Sequence, residues 1–279
     1  MSQPWIPEID VDERLARRLI ETQFPQFAGA TLRRVGQGWD NVAYLVEERF
    51  IFRFPQRSIA APLMAREITL LPHLAAAVPV AIPRIAFAGA PQDGYPWQFA
   101  GYEILLGRTA CAHVLDDGQR QALAVDLARA LRALHDIDPE PLLREGLVGD
   151  EWGRLSPKRL KLDAAPLEAP ARVVHGDLYA RHLLVNERGR LCGIIDWGDL
   201  HYGQPAVDLM CVWLMIPPEH HRAFFDVYGE VDERSRLFAR ARALYHTRRL
   251  LDYSEKIGDA ALHESAKIAA GYLGEPSGV

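Results

Sequence analysis

Three short apolar runs and two polar clusters alternate between Val173 and Trp197, and this stretch constrains the chain more than any other. Val173-Val174, Leu183-Leu184-Val185 and Gly193-Ile194-Ile195 read as brief buried strands, and Asn186-Glu187-Arg188-Gly189 between the last two reads as a hairpin turn. Polar residues at the mouths of buried strands are held still by the strands while solvent still reaches them. The pattern therefore gathers Asp177, His182 and Asp196 into one place. Two carboxylates and an imidazole there suit metal-assisted chemistry: one carboxylate holds a divalent cation while the other orients or deprotonates a hydroxyl.

The ordered set His175-Gly176-Asp177, then His182 five residues on, a hairpin, and Ile195-Asp196-Trp197-Gly198 resembles the catalytic loop and metal-binding Asp of the protein-kinase-like fold. It is most similar to the antibiotic phosphotransferases, with the aminoglycoside 2''-kinases and macrolide 2'-kinases the nearest in look. The resemblance implies that Asp177 is the catalytic Asp and that His182 and Asp196 hold Mg²⁺, His182 standing where Asn is usual. It implies an α+β, bilobal protein-kinase-like fold: a small antiparallel-sheet N-lobe over residues 1–102, binding the nucleotide, and a larger mainly helical C-lobe over 103–279. The activity implied is transfer of the γ-phosphate of GTP or ATP to a hydroxyl of an aminoglycoside or macrolide. A kinase of a metabolic sugar or amino alcohol stands as the alternative, because this fold carries many substrates. A kinase-like protein that binds nucleotide without turnover is a further one, raised by Arg53 and His182. A metal-dependent hydrolase is disfavoured, because such enzymes assemble more His and Asp ligands than this segment supplies.

Ahead of this stretch, Val11–Phe24 has a helical apolar stripe with Asp10 or Asp12 as N-cap and Pro25 as its stop. Thr31–Val35, Val42–Val46 and Phe50–Phe54 read as a small antiparallel sheet. The glycine pair Gly36 and Gly38, read as a strand-to-strand turn, lets backbone amides approach a phosphate; an ordinary hairpin is the plain alternative. Arg53 is a cation flanked by Phe52 and Phe54 and needs a partner, which Glu67 on a helix from about Ser58 offers. In the resemblance this pair stands where a strand Lys and a helix Glu position the nucleotide's phosphates, with Arg in place of Lys.

Pro83–Gly89 and Trp97–Leu105 read as two more strands. The resemblance makes the end of the second a hinge, with Tyr102 as the gatekeeper and the backbones of Glu103 and Leu105 contacting the purine. A bulky Tyr there crowds adenine and points to GTP. Leu123, Leu127, Ala130, Leu131 and Leu134 form a buried stripe on a helix from Asp116 or Asp117 to His135. Pro139 and Pro141 read as an irregular connection, and Glu151–Leu162 as a short charged helix. Asp199 is placed close enough to contact the acceptor, and Gln204-Pro205-Ala206-Val207-Asp208 resembles a segment of the same family, which implies that Asp208 opens a helix and braces the catalytic loop rather than doing chemistry. Helices are expected at His220–Tyr228, Asp232–Lys256 and Asp259–Tyr272, their charged faces read as solvated, with a frayed tail from Gly274 to Val279.

The net charge of −5 gives no basic balance for nucleic acid. No apolar run reaches the ~18 residues of a membrane span. Met1-Ser2-Gln3-Pro4 does not read as a signal peptide, and Cys111, Cys192 and Cys211 suit a reducing cytoplasm rather than a zinc site or disulfides. A cytoplasmic monomer is expected, with small-molecule and nucleotide partners only. From Tyr202 onward 11 acidic and 9 basic side chains leave the acceptor's charge open.

Overall fold

The computed structural model describes residues 7–38, 40–92 and 94–274. Trp39, the N-terminal residues before 7 and the expected tail beyond Gly274 lie outside them, while Gly274 itself caps the last helix. Two compact units are present, one of residues 1–75 and 83–105, the other of 76–82 and 106–279.

The first unit is a five-stranded antiparallel sheet with two helices. Helix α1 (Glu13–Gln23) is capped by Asp12, whose carboxylate accepts from the Leu15 amide. Strands β1 (Leu32–Gln37), β2 (Asn41–Val46) and β3 (Phe50–Pro55) form a meander, followed by α2 (Ala61–Leu74). Strands β4 (Ile85–Gly89) and β5 (Phe99–Glu103) complete the sheet in the order β1-β2-β3-β5-β4. Alternation along these strands turns Val42, Tyr44, Phe52, Phe54 and Phe99 into one core with Leu19 and Ile20 of α1. The rings interlock: Phe54 stacks on Phe99 at 4.7 Å and Phe52 on Phe87 at 5.5 Å.

The second unit is mainly helical. A two-residue strand β6 (Arg108–Thr109) precedes α3 (Asp117–His135), which begins with a reciprocal cap between Asp116 and Gln119 and buries Leu123, Leu127, Leu131 and Leu134. Then come α4 (Pro139–Arg144), α5 (Pro157–Leu160) and the strands β7 (Arg172–Val174), β8 (Leu183–Val185), β9 (Leu191–Ile194) and β10 (His201–Gly203). The last helices are α6 (Ala206–Met215), buried throughout, α7 (His221–Tyr228), α8 (Glu233–Ile257) and α9 (Ala260–Leu273). Helix α6 packs on α8 and α9, and α3 on α7. Among the described residues no helix is long and apolar enough to cross a membrane.

Four local expectations are corrected. Residues 139–144 form a helix, because Pro139 sits in its first turn, where no amide partner is needed, and Asp138 caps it. Only Pro157–Leu160 of the segment 151–162 is helical; Asp150 folds the residues before it into turns by accepting from the Trp152 and Arg154 amides. Gly36 lies inside β1 at a register shift rather than in the turn, and its φ is not positive. Strand β10 pairs antiparallel with β7 and was not expected, three residues with a central Tyr being too short for a periodic signal.

Candidate active site

In the second unit, β7 delivers His175, Gly176 and Asp177 to the loop that runs to His182 at the start of β8. Two anchors fix that loop. The buried Asp208 carboxylate in the first turn of α6 accepts from the amides of His175 at 2.7 Å and Gly176 at 2.8 Å. It also meets His135 Nε2 at 3.2 Å, whose other nitrogen lies 2.7 Å from the Tyr228 hydroxyl. Burial works against the Asp208 charge, but His135 and the Gly176 amide outweigh it and hold the carboxyl below its usual range. Gly176 has φ +91, and a side chain there would strike the Asp199 carbonyl and the His201 ring. Only glycine fits.

His175 is a crosspiece that sequence reasoning passed over as part of a motif. Its Nδ1 accepts from the Asp177 amide at 3.3 Å, and its Nε2, 3.1 Å from the Ile195 carbonyl, must therefore carry the proton. Burial lowers its pKa, in keeping with a neutral ring. The ring ties the Asp177 loop to the segment that carries Asp196, with Trp197 packed at 4.7 Å.

His182 bridges the two carboxylates. Its Nδ1 is 2.7 Å from the Asp177 carbonyl, which only accepts, so Nδ1 is protonated. Its Nε2 lies 3.3 Å from Asp196 Oδ2, and Nδ1 lies 3.8 Å from Asp177 Oδ2. Burial disfavours the imidazolium, but Asp196 and then Asp177 overcome this and raise its pKa. The Asp177 carboxyl is pushed up to about 6, by burial first and by Asp199 and Asp196 next, against the pull of His182 and Arg242. It keeps 28% of its side chain open to solvent. Asp196 is 45% open and has φ +64, a left-handed conformation that costs a non-glycine residue of order 1 kcal/mol and that Asp tolerates better than most.

The open Asp196 carboxylate fits a hard cation that keeps other ligands, whereas His182, drawn toward its charged form by Asp196, offers a cation a nitrogen only when neutral. Asp196 is an open carboxylate beside an imidazole nitrogen, and among the described residues no group of three or more His, Cys, Asp or Glu is arranged around a metal position. A closed zinc-type cage is not the match. Mg²⁺, which takes one or two protein carboxylates and completes its shell with phosphates and water, is.

Asp199 is held by Arg154, which also pairs with Asp150 at 2.8 Å. Its carboxylate is thus engaged within the protein. In the first unit, Arg53 Nη1 reaches both Glu67 oxygens, at 2.7 and 3.0 Å, and the pair is buried. Gly38 donates to the Asn41 carbonyl at 2.9 Å. A Cβ at Gly36 would meet nothing within 4 Å and one at Gly38 only that carbonyl at 3.8 Å, so the fold by itself demands glycine at neither position. Tyr102 is 6% exposed in β5 between Ile51 and Ile85. The Ile104 amide donates to the Arg49 carbonyl at 2.8 Å, so the backbone groups of Glu103, one residue back, face away from β3. The Glu103 side chain pairs with Arg49, and Leu105 follows outside the strand.

Residues 31–161 and 143–244 match the phosphotransferase enzyme family APH. The chain belongs to that family. Its fold is similar to that of the GDP and kanamycin complex of APH(2")-IIia, at 25% identity and a TM-score of 0.71 over 93% of this chain and 98% of that one. It is also similar to macrolide 2'-phosphotransferase type I, at 19% identity and a TM-score of 0.64 over 94% and 98%, a likeness of fold alone. The uncharacterized protein YcbJ of Bacillus subtilis (strain 168) is 26% identical over 62 residues, 22% of this chain and 20% of YcbJ. The match thus spans one fifth of that relative's length. The kinase-like architecture, an antiparallel N-terminal sheet and a helical C-terminal part, is common to this family member and those neighbours.

Proposed function

We propose that the protein is a Mg²⁺-dependent O-phosphotransferase that moves the γ-phosphate of GTP or ATP to a hydroxyl of a small molecule. The observation that carries this is the placement of Asp177 and the open Asp196 on either side of His182, 3.8 and 3.3 Å from its two ring nitrogens. Phosphoryl transfer asks a protein mainly for positioning and charge neutralisation. Asp177 orients the acceptor hydroxyl and takes its proton; a base titrating near the working pH serves this best. Asp196 and His182 would hold Mg²⁺, which when bound neutralises phosphate charge. Arg53, kept in place by Glu67, meets phosphate oxygens, and the backbone at Gly36 and Gly38 lets them come close without a side chain in the way. Glu103 and Leu105 present backbone groups to the base, and the buried Tyr102 beside them favours guanine; GDP in the APH(2")-IIia complex supports this donor.

Aminoglycosides and macrolides, the acceptor classes named for the neighbours, are the reference compounds to offer, with sugars and amino alcohols as the alternative. The test is nucleotide turnover with Mg²⁺, using GTP and ATP separately, against that panel and with Asp177→Ala as control. Acceptor-stimulated turnover lost in the variant supports the reading. Turnover with ATP and none with GTP removes the Tyr102 argument. Nucleotide hydrolysis indifferent to every acceptor and to the substitution contradicts the reading.

A further inference from the structure

The face of α8 turned to the Asp177 loop carries a cation that the chemistry above does not use. Arg242 is 5% exposed. Among the described residues it makes no ion pair: its Nη1 donates to the Arg154 carbonyl at 3.3 Å and its Nε has no partner. Burying a guanidinium without a carboxylate is costly, so such a group is retained for an anion that arrives from elsewhere. The Arg154 whose carbonyl it meets is the residue that holds Asp199, and of the carboxylates around Arg242 Asp177 exerts the strongest pull.

His246 lies one helical turn further along the same face. Its ring sits 4.9 Å from Tyr179, which in turn lies 4.3 Å from His182, and its Nε2 has no hydrogen-bond partner. Burial first, then Arg242, His182 and Arg249, keep this ring neutral. Arg249 continues the stripe one turn on. Of the carboxylates nearby, Asp199 and Asp150 are matched by Arg154 and Asp196 by His182, which leaves Asp177, the group assigned to the acceptor hydroxyl. An ammonium group brought to this wall would find cations and engaged carboxylates; an anion would find an unpaired guanidinium.

We propose that Arg242 and His246 form an acceptor subsite for a carboxylate, so that the molecule phosphorylated is a hydroxy acid rather than a polyamine. The planar guanidinium fork matches a carboxylate bidentately, and the imidazole supplies a further polar contact. This rests on the phosphotransferase reading and names its acceptor class. In the step itself the acceptor hydroxyl oxygen bonds to the γ-phosphorus, the bond from that phosphorus to the β-bridging oxygen breaks, and the hydroxyl proton passes to Asp177. A nucleoside diphosphate leaves, and the hydroxy acid becomes its phosphate monoester.

The test compares matched acceptors on the full chain with Mg²⁺ and nucleotide: gluconate against sorbitol, glucuronate against glucose, with kanamycin and erythromycin alongside. Calorimetric binding of each to the protein loaded with nucleoside diphosphate accompanies the rates. The acid of each pair is expected to bind and stimulate turnover at least about tenfold better than its neutral partner. Arg242→Gln is expected to raise the acid's KM by at least about tenfold, and Arg242→Lys, which keeps the charge, to restore part of the preference. Melting curves of both variants separate loss of the subsite from loss of the fold. Turnover that depends on Asp177 with kanamycin or a neutral polyol, and none with the acids, overturns the subsite and leaves the phosphotransferase standing. So does nucleotide binding with neither acid bound. Failure to bind nucleotide at all overturns both.

Discussion

Asp177 sits where burial and two neighbouring carboxylates keep its carboxyl more basic than usual, while its place in the loop comes from its own amide, which donates to the His175 ring, and from the hold of Asp208 on the Gly176 amide. Asp177→Asn is therefore expected to fold normally and to lose transfer by about a thousandfold, the usual worth of a positioned base; steady-state rates beside a melting curve check both halves. Arg53 and Glu67 make the opposite case, a pair buried together. Glu67→Ala leaves the guanidinium without its carboxylate and should cost about 3 kcal/mol, whereas the double change Arg53→Met with Glu67→Leu should cost less, because it removes both charges. Denaturant midpoints of the three proteins decide it, and a double variant no more stable than Glu67→Ala contradicts the account. The Arg53–Glu67 partnership was legible because a cation between two Phe in a strand needs a carboxylate. Arg242 was not: on a long helix rich in Arg and Glu it reads as part of a solvated face, and only the packing of α8 shows it buried.

Helix α6 reaches the catalytic loop through one side chain. Asp208 is ionised at neutral pH, and its folded pKa lies below the unfolded value near 3.9. Its contribution to stability is thus complete above that value and is lost as the pH falls through the folded one. Asp208→Asn should destabilise the protein by about 1–3 kcal/mol at neutral pH, two backbone amides losing an ionised acceptor, and the gap from wild type should shrink on acidification below about pH 4. Unfolding curves across that range measure it; a gap independent of pH contradicts the assignment. The strands around this loop were legible from short apolar runs, and α3 from its leucine stripe. Helix α4 was hidden because Pro139 and Pro141 read as breakers, although a proline in a first turn breaks nothing. The Arg154 partner of Asp199 was hidden for a similar reason: the nearness of Asp199 to Asp196 is visible in the sequence, but Arg154, forty-five residues earlier, is not visibly its partner.

At the scale of the whole molecule, the chain is a member of a phosphotransferase family. Donor binding is assigned to residues that do not include Asp177. Mg²⁺ with GTP or GDP should therefore raise the melting temperature of wild type and of Asp177→Ala alike, by about 2.7 kcal/mol of stabilisation at one hundred times the dissociation constant. A shift in wild type that is absent from the variant would show that Asp177 serves binding instead. The most direct measurement is phosphorus NMR of the wild-type reaction with nucleotide, Mg²⁺ and the acceptor panel, run beside Asp177→Ala. The account predicts a phosphate monoester of the acceptor formed in step with nucleoside diphosphate, and no monoester in the variant. Inorganic phosphate as the sole new product, or a monoester formed equally by Asp177→Ala, contradicts it.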